Sequence, residues 1–250
     1  MFANSSSSGI RSVSPANPMR HLPLLLLISL TLLAASVGPM IFPAVQAGHG
    51  NLSQMASHLL LPAIGILIVI AAAGWKKAPS VSRSIVWGAV AGAIATIALE
   101  AVRISGFRLG FMPGNLPRLM GVLLLDRFAL GPSTASDLAG WTYHFWNGAS
   151  FGIIYALFFG TARRWLGVLY GVALGAGFLV SPVVLSLGVG YFGLQFSMGC
   201  PVTVLTAHAA FGLLLGILAR RFLSSPSSPL LTTLRSFFTA GTKSAGALQQ

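Results

Sequence analysis

The chain has 250 residues, of which 55% are hydrophobic and 7% are charged. Because a soluble globular domain has about 25% charged residues, this composition excludes a soluble enzyme, a nucleic-acid-binding domain and a disordered chain as descriptions of the whole protein. The formal net charge of +12 comes from 15 Lys and Arg against 3 Asp and Glu, and the basic residues lie at the ends of apolar runs. That placement is typical of orientation signals in a membrane protein, so we expect a lipid bilayer, and no nucleic acid, as a partner.

Six apolar runs are long enough to cross a bilayer, which takes about 20 residues at ~1.5 Å each. Since lipid offers no hydrogen-bond partner to the backbone, each run must be a helix. The sequence therefore predicts an all-α, polytopic integral membrane protein with six transmembrane helices. The predicted spans are residues 22–45, 52–75, 84–102, 141–160, 165–187 and 201–222.

The predicted membrane domain, 21–222, lies between a disordered Ser-rich segment, 1–20, and a flexible tail, 223–250, whose apolar residues could form a short helix on the inner leaflet. With the N-terminus inside, eleven of the 15 basic residues lie in inner segments, and the other four lie in one long outer connection, 103–140. The positive-inside rule then places both termini in the cytoplasm, and we expect a bacterial plasma membrane. If the first span is instead a signal peptide cleaved after residue 47, five spans remain in the same orientation.

One glycine pattern occurs twice. The third and fifth spans contain an aromatic residue followed by Gly-x3-Gly-Ala, and the fourth and sixth contain His-x3-Gly-x3-Gly. The repetition predicts a duplicated core of two helix hairpins, spans 3–4 and 5–6. Glycines four apart lie on one helix face and let helices approach closely, so we interpret them as helix-packing residues. They are Gly88, Gly92, Gly148, Gly152, Gly171, Gly175, Gly212 and Gly216.

Four ionisable residues are predicted at a similar depth, within about 11 Å of the outer boundary at ~1.5 Å per residue. They are His58, Glu100, His144 and His208. Buried ionisable residues in lipid mark functional sites unless each is paired locally, so this set is the candidate site for ligand or ion handling. The three histidines could hold a transition metal, two of them could ligate a haem iron, or the set could relay protons. The alternative is that each histidine only hydrogen-bonds a neighbouring helix.

The outer connection carries four arginines against the positive-inside trend: Arg103, Arg108, Arg118 and Arg127. We expect Arg103 and Arg118 to take part in binding an anionic lipid headgroup or a small-molecule ligand at the outer face. The alternative is ion pairing, of Glu100 with Arg103 at i,i+3 and of the two aspartates with the others. The apolar run 119–125 is too short to span and suits a re-entrant or interfacial segment, and Asp137 is expected to cap the fourth span.

Two short stretches bear on an enzymatic interpretation. Gly148-Ala-Ser150-Phe-Gly152 matches the nucleophile-elbow pattern Gly-x-Ser-x-Gly, and His208 followed by Gly212 resembles the last helix of rhomboid proteases. Rhomboid proteases have Gly-x-Ser-Gly instead, and their histidine precedes its glycine by three residues, not four. The resemblance implies an intramembrane serine protease with Ser150 as nucleophile.

Three classes of function follow, in order of preference. The first is transport or small-ligand and ion handling through the His/Glu cluster near the outer face. The second is a structural or assembly membrane protein without catalysis, and the third is a metal- or serine-dependent intramembrane enzyme. The sequence does not indicate an oligomeric state.

Overall fold

The computed structural model describes residues 21–161, 164–223 and 228–247, and within them every regular element is helical. The all-α prediction is therefore confirmed for this part of the chain. The predicted segment 1–20 and the linker at 224–227 lie outside the described residues. In chain order the helices are α1 (Leu22–Gln46), α2 (Leu52–Lys77), α3 (Pro79–Arg108), α4 (Leu116–Leu124), α5 (Thr134–Phe159), α6 (Arg164–Leu179), α7 (Pro182–Ser186), α8 (Gly199–Phe222) and α9 (Pro229–Ala247).

Five helices of the described residues are long and apolar enough to cross a membrane. They are Leu22–Gln46, Leu52–Lys77, Pro79–Arg108, Trp165–Ser186 and Gly199–Phe222. The shortest has 22 residues and comprises α6, α7 and the turn between them. At ~1.5 Å per residue that length exceeds the ~30 Å of a bilayer core. These helices support an integral membrane location with lipid around the protein.

The fourth predicted span lies within α5, which has 26 residues but is not one of those five. Its hydropathy is lowered by polar side chains that face the protein and not lipid. Tyr143 is 3% exposed, Asn147 is 9% exposed and Ser150 is fully buried. Because neighbouring helices cover this face, α5 does not need the uniformly apolar surface by which a span is recognised. Six crossings therefore remain a prediction.

Helices α3 and α5 cross where their backbones touch. A Cβ added at Gly88 would lie 2.8 Å from the carbonyl oxygen of Gly152, and one added at Gly92 would overlap the carbonyl of Gly148. No residue larger than glycine fits this crossing without moving a backbone. The two helices are thus held at a fixed distance close to the polar residues of the candidate site.

The second crossing, between α6 and α8, has a different register from the one the repeat predicts. If the second crossing were equivalent to the first, Gly171 would contact Gly216 and Gly175 would contact Gly212. In the structure Gly171 packs on the carbonyl of His208, and Gly167, which the repeat does not include, packs on the carbonyl of Gly212. Gly175 contacts the His208 side chain. The contact is displaced by at least one turn, so the duplicated core stays a prediction.

The region predicted as a flexible tail contains helix α9. The Ser228 hydroxyl donates a 2.7 Å hydrogen bond to the Leu157 carbonyl near the end of α5. Leu230 packs on a core cluster formed by α1, α2, α3 and α5, and Thr233 is buried. The start of α9 is therefore attached to the helical bundle.

Three connections lie at one end of the bundle, which we call the connection end: residues 47–51, 109–133 (which includes α4) and 187–198. Contacts between the helix ends hold this end together, among them Gly106 against Thr203 and the Ser186 hydroxyl on the Gln46 side chain at 2.7 Å. The short helix α4 packs by Gly121 against Gly140 of α5. This end corresponds to the predicted outer face.

Candidate functional site

A buried ion pair lies on α3, about one to two turns from the connection end. Arg103 Nε donates to Glu100 Oε1 at 2.7 Å and Nη2 donates to Oε2 at 2.6 Å, and the two side chains are 9% and 6% exposed. A bidentate guanidinium–carboxylate pair is a strong, oriented interaction, and it cancels both charges inside the bundle. The i,i+3 spacing on one helix brings the two residues to the same face.

His144 on α5 completes this cluster. Its Nε2 lies 2.9 Å from Glu100 Oε1. Since an ionised carboxylate only accepts hydrogen bonds, Nε2 must carry a hydrogen and donate it to Glu100. The close α3–α5 crossing at Gly92 and Gly148, one turn further along α5, allows this side chain to reach the carboxylate.

His208 faces the same region from α8. Its Nδ1 lies 2.8 Å from the Val204 carbonyl of its own helix, so Nδ1 donates, and no partner of Nε2 is found in the part of the chain that the structure describes. The ring stacks on Phe178 with centroids 6.1 Å apart. His208 and His144 line the same cavity. The residues Glu100, Arg103, His144 and His208 are called the polar cluster below.

The polar cluster borders a cavity of about 460 Å³, within the ~300–1,000 Å³ range of small-molecule sites. Arg103, His144 and His208 line it, together with Asn147, whereas Glu100 lies behind the first two. Most other lining residues are apolar and come from α1, α3, α4, α5, α6, α7 and α8 and from the connections next to them. The cavity is thus an apolar chamber with a polar group at one side.

The sequence analysis missed Asn147. Its side-chain oxygen is buried and has no hydrogen-bond partner among the described residues. An unsatisfied buried acceptor costs about 1–3 kcal/mol. The sequence did contain an indication of this residue, because an amide three residues after His144 in an apolar helix is as unusual as the histidine itself.

His58 does not join the polar cluster. It is exposed, and its Nδ1 lies 2.9 Å from the Gln54 carbonyl and 3.2 Å from the Ser57 hydroxyl, both on its own helix. Among the described residues, no group of three or more His, Cys, Asp or Glu side chains is placed to hold a metal ion. The structure therefore does not assemble the metal site expected from His58, His144 and His208. Haem ligation by two histidines stays a prediction.

Arg118 also lies apart from the polar cluster. Its Nε and Nη2 are 3.1 and 3.2 Å from the Asp137 carboxylate, and its side chain is 54% exposed. Asp137 was expected to cap α5, but the helix begins earlier and Ser133 is the N-cap, with Ser136 completing a capping box. Asp137 therefore acts as the partner of Arg118 in the first turn.

We expect replacement of Arg118 by alanine to change the free energy of unfolding by less than about 1 kcal/mol, because exposed ion pairs are screened by water. Denaturant titration of the purified variant in detergent measures this change. A loss of several kcal/mol would show that the pair is shielded from solvent in the folded protein.

The structure does not support a serine nucleophile. Ser150 is fully buried in the middle of α5, and its hydroxyl has no hydrogen-bond partner in the described part of the chain. A serine nucleophile needs a base within about 2.6–3.2 Å, and His208 uses Nδ1 on its own helix instead. The elbow also requires a strand–turn–helix, whereas this serine lies within a continuous helix.

Comparisons of the chain with models of protein families, with curated proteins and with solved structures found no match. The function is therefore inferred from the cavity and the polar cluster themselves.

Proposed function

We propose that this chain is a six-span membrane protein that binds a small ligand or ion in the cavity beside the polar cluster, as part of transport or ligand handling. The observation that carries the proposal is the Glu100–Arg103–His144 group, drawn from two helices, at the wall of a cavity of about 460 Å³. Fixed polar groups in a mostly apolar chamber are the usual composition of a small-molecule site.

The cost of burying these groups supports a binding role over a purely structural one. Glycine contacts already hold α3 against α5, so packing alone does not require a carboxylate, a guanidinium and an imidazole at the same place. Ionisable residues inside membrane helices are expensive and are usually retained for function. His144 and His208 each have one ring nitrogen for which the described residues supply no partner.

The orientation proposed from the basic residues puts both termini in the cytoplasm of a bacterial cell and the connection end outside. The cavity then lies near the extracytoplasmic face, lined in part by residues 112–116 and 187–189. Exposed arginines of the outer connection, such as Arg108 and Arg118, would contact anionic headgroups of the outer leaflet. The glycine repeat is consistent with two hairpins of common ancestry that enclose the site.

A ligand screen tests the proposal. The melting temperature of the purified protein is measured with inorganic cations, inorganic phosphate, amino acids and long-chain alcohols. We expect at least one compound to stabilise the wild type, by ~2.7 kcal/mol at a hundredfold excess over Kd, and we expect His144→Ala to remove this stabilisation. His58→Ala is the matched control, because that imidazole is exposed and does not line the cavity. Equal stabilisation of wild type and His144→Ala, or no stabilisation by any compound, would contradict the proposal.

A further inference from the structure

The cavity is bordered by residues that are exposed on the sides of membrane-spanning helices. Met40 on α1 is 57% exposed, and Ala173 and Gly177 on α6 are exposed, yet all three line the cavity. Both helices are candidate spans, so their outer surfaces face lipid. We call the gap beside Met40, Ala173 and Gly177 the side portal.

The packing of the helices explains why a portal exists at this position. On one side of the bundle α3 packs extensively against α8. In addition, α3 packs closely against α5, and α8 packs closely against α6, through their glycines. On the opposite side the backbones of α5 and α6 are far apart, and the two helices meet through Tyr170, whose hydroxyl donates to the Phe151 carbonyl at 3.0 Å. Space is left between them nearer the connection end, beside Ala173 and Gly177. At the connection end α1 and α7 close this space, by Val183 among Ile41 and Phe42 and by the Ser186–Gln46 hydrogen bond. The open direction is therefore lateral.

We propose that the occupant of the cavity is a single-chain amphiphile that enters from the bilayer through the side portal, with a hydroxyl headgroup at the polar cluster. The inference rests on the proposed function and names its ligand class and its route. An apolar chain fits the largely apolar lining. A lipid-facing entrance gives that chain a path that never crosses water.

The hydrogen-bond inventory specifies the headgroup. Among the described residues, no hydrogen-bond partner is found for Nε2 of His208 or for Nδ1 of His144. The Arg103 guanidinium is already paired with Glu100, so it is not free to pair with a carboxylate. A hydroxyl can donate to or accept from an imidazole nitrogen and carries no charge, so it satisfies these groups without adding an unpaired ion to the bundle.

Gly177 allows the portal to be closed without disturbing the fold. A Cβ added there meets no atom within 4 Å, so Gly177→Leu fills the opening and leaves the neighbouring helices in place. Gly65 on α2 is the matched control, since it is also an exposed helical glycine with no atom within 4 Å of an added Cβ, and it does not line the cavity.

The test uses the full chain in phosphatidylcholine nanodiscs and a long-chain primary alcohol that carries a photoactivatable diazirine on its chain. After illumination, peptide mass spectrometry locates and quantifies the label. We expect labelling of cavity residues such as Phe151 in the wild type and in Gly65→Leu, with competition by the unlabelled alcohol. In Gly177→Leu this labelling should fall at least about tenfold, equal to ~1.4 kcal/mol of binding.

Three results would overturn the inference: equal cavity labelling of Gly177→Leu and the wild type, labelling confined to lipid-facing residues, or stronger labelling by the carboxylic acid of matched chain length. The first result, together with loss of a stabilising compound in His144→Ala, would leave the proposed function standing with a different route. If neither variant changed the binding of any compound, the proposed function would fail as well.

Discussion

Replacement of Glu100 by alanine is expected to lower the free energy of unfolding by about 3–5 kcal/mol, the largest effect of any substitution in the polar cluster. The variant leaves the Arg103 guanidinium without a counter-charge in a buried position, because its side chain is only 9% exposed. It also removes the acceptor of the His144 Nε2 proton. The cost comes from the charge that remains, more than from the hydrogen bonds that are lost.

Two further variants separate this explanation from a general sensitivity of α3. Glu100→Leu combined with Arg103→Leu removes both charges and should recover most of the lost stability, because replacing a complete buried pair by apolar residues is often close to neutral. Asp137→Ala breaks the exposed pair with Arg118 and should cost less than about 1 kcal/mol. The free energies are measured by denaturant titration in detergent micelles. If Glu100→Ala stayed within ~1 kcal/mol of the wild type, water would have to reach the pair.

The fold class was predictable from the sequence because lipid imposes one constraint on every apolar run. Backbone groups with no water must bond within their own segment, so the runs at 22–45 and 201–222 had to be helices. The structure gives them as Leu22–Gln46 and Gly199–Phe222. The same reasoning does not settle α5, since its inward-facing polar side chains reduce the hydropathy on which a span prediction depends.

The position of each candidate residue along its helix could be counted from the sequence, but the direction in which its side chain faces could not. Counting residues from the ends of the spans gives depth, and the Glu100–Arg103 pair follows from i,i+3 spacing. A helix that is apolar on all sides gives no indication of which face turns inward. The outward orientation of His58 could therefore not be predicted from the sequence. His58 also lies in a π-helical turn, Ala56–Leu60, whose extra residue rotates the helix faces relative to a regular α-helix.

The glycine repeat has a similar limit. Glycines spaced by four identify the face on which two helices meet, but any turn of that face can form the contact. Helix α6 has one more such glycine, Gly167, and the crossing with α8 uses it. The sequence therefore predicted close packing between the right helices, and the register depended on the whole interface.

The second large effect is expected for Gly92→Leu, which should lower the free energy of unfolding by about 3 kcal/mol or more, at the upper end of overpacking costs. The new Cβ would overlap the carbonyl of Gly148 and lie 2.9 Å from the Gly152 Cα. These are backbone atoms of a rigid helix, so α3 and α5 must separate for the side chain to fit. Because His144 lies one turn from Gly148, the separation should also weaken its 2.9 Å contact with Glu100.

Gly65→Leu is the matched control for Gly92→Leu, since it introduces the same side chain into a helix where an added Cβ meets nothing within 4 Å. The control should be neutral or slightly stabilising, because leucine has a higher helix propensity than glycine by up to ~1 kcal/mol. Gly92→Ala should give an intermediate loss if the clash begins at the Cβ. Denaturant titration and the ligand-induced change in melting temperature are measured on all three variants. Similar stabilities of Gly92→Leu and Gly65→Leu would mean that the α3–α5 backbones are not in contact, and the geometry that places His144 on Glu100 would then have another cause.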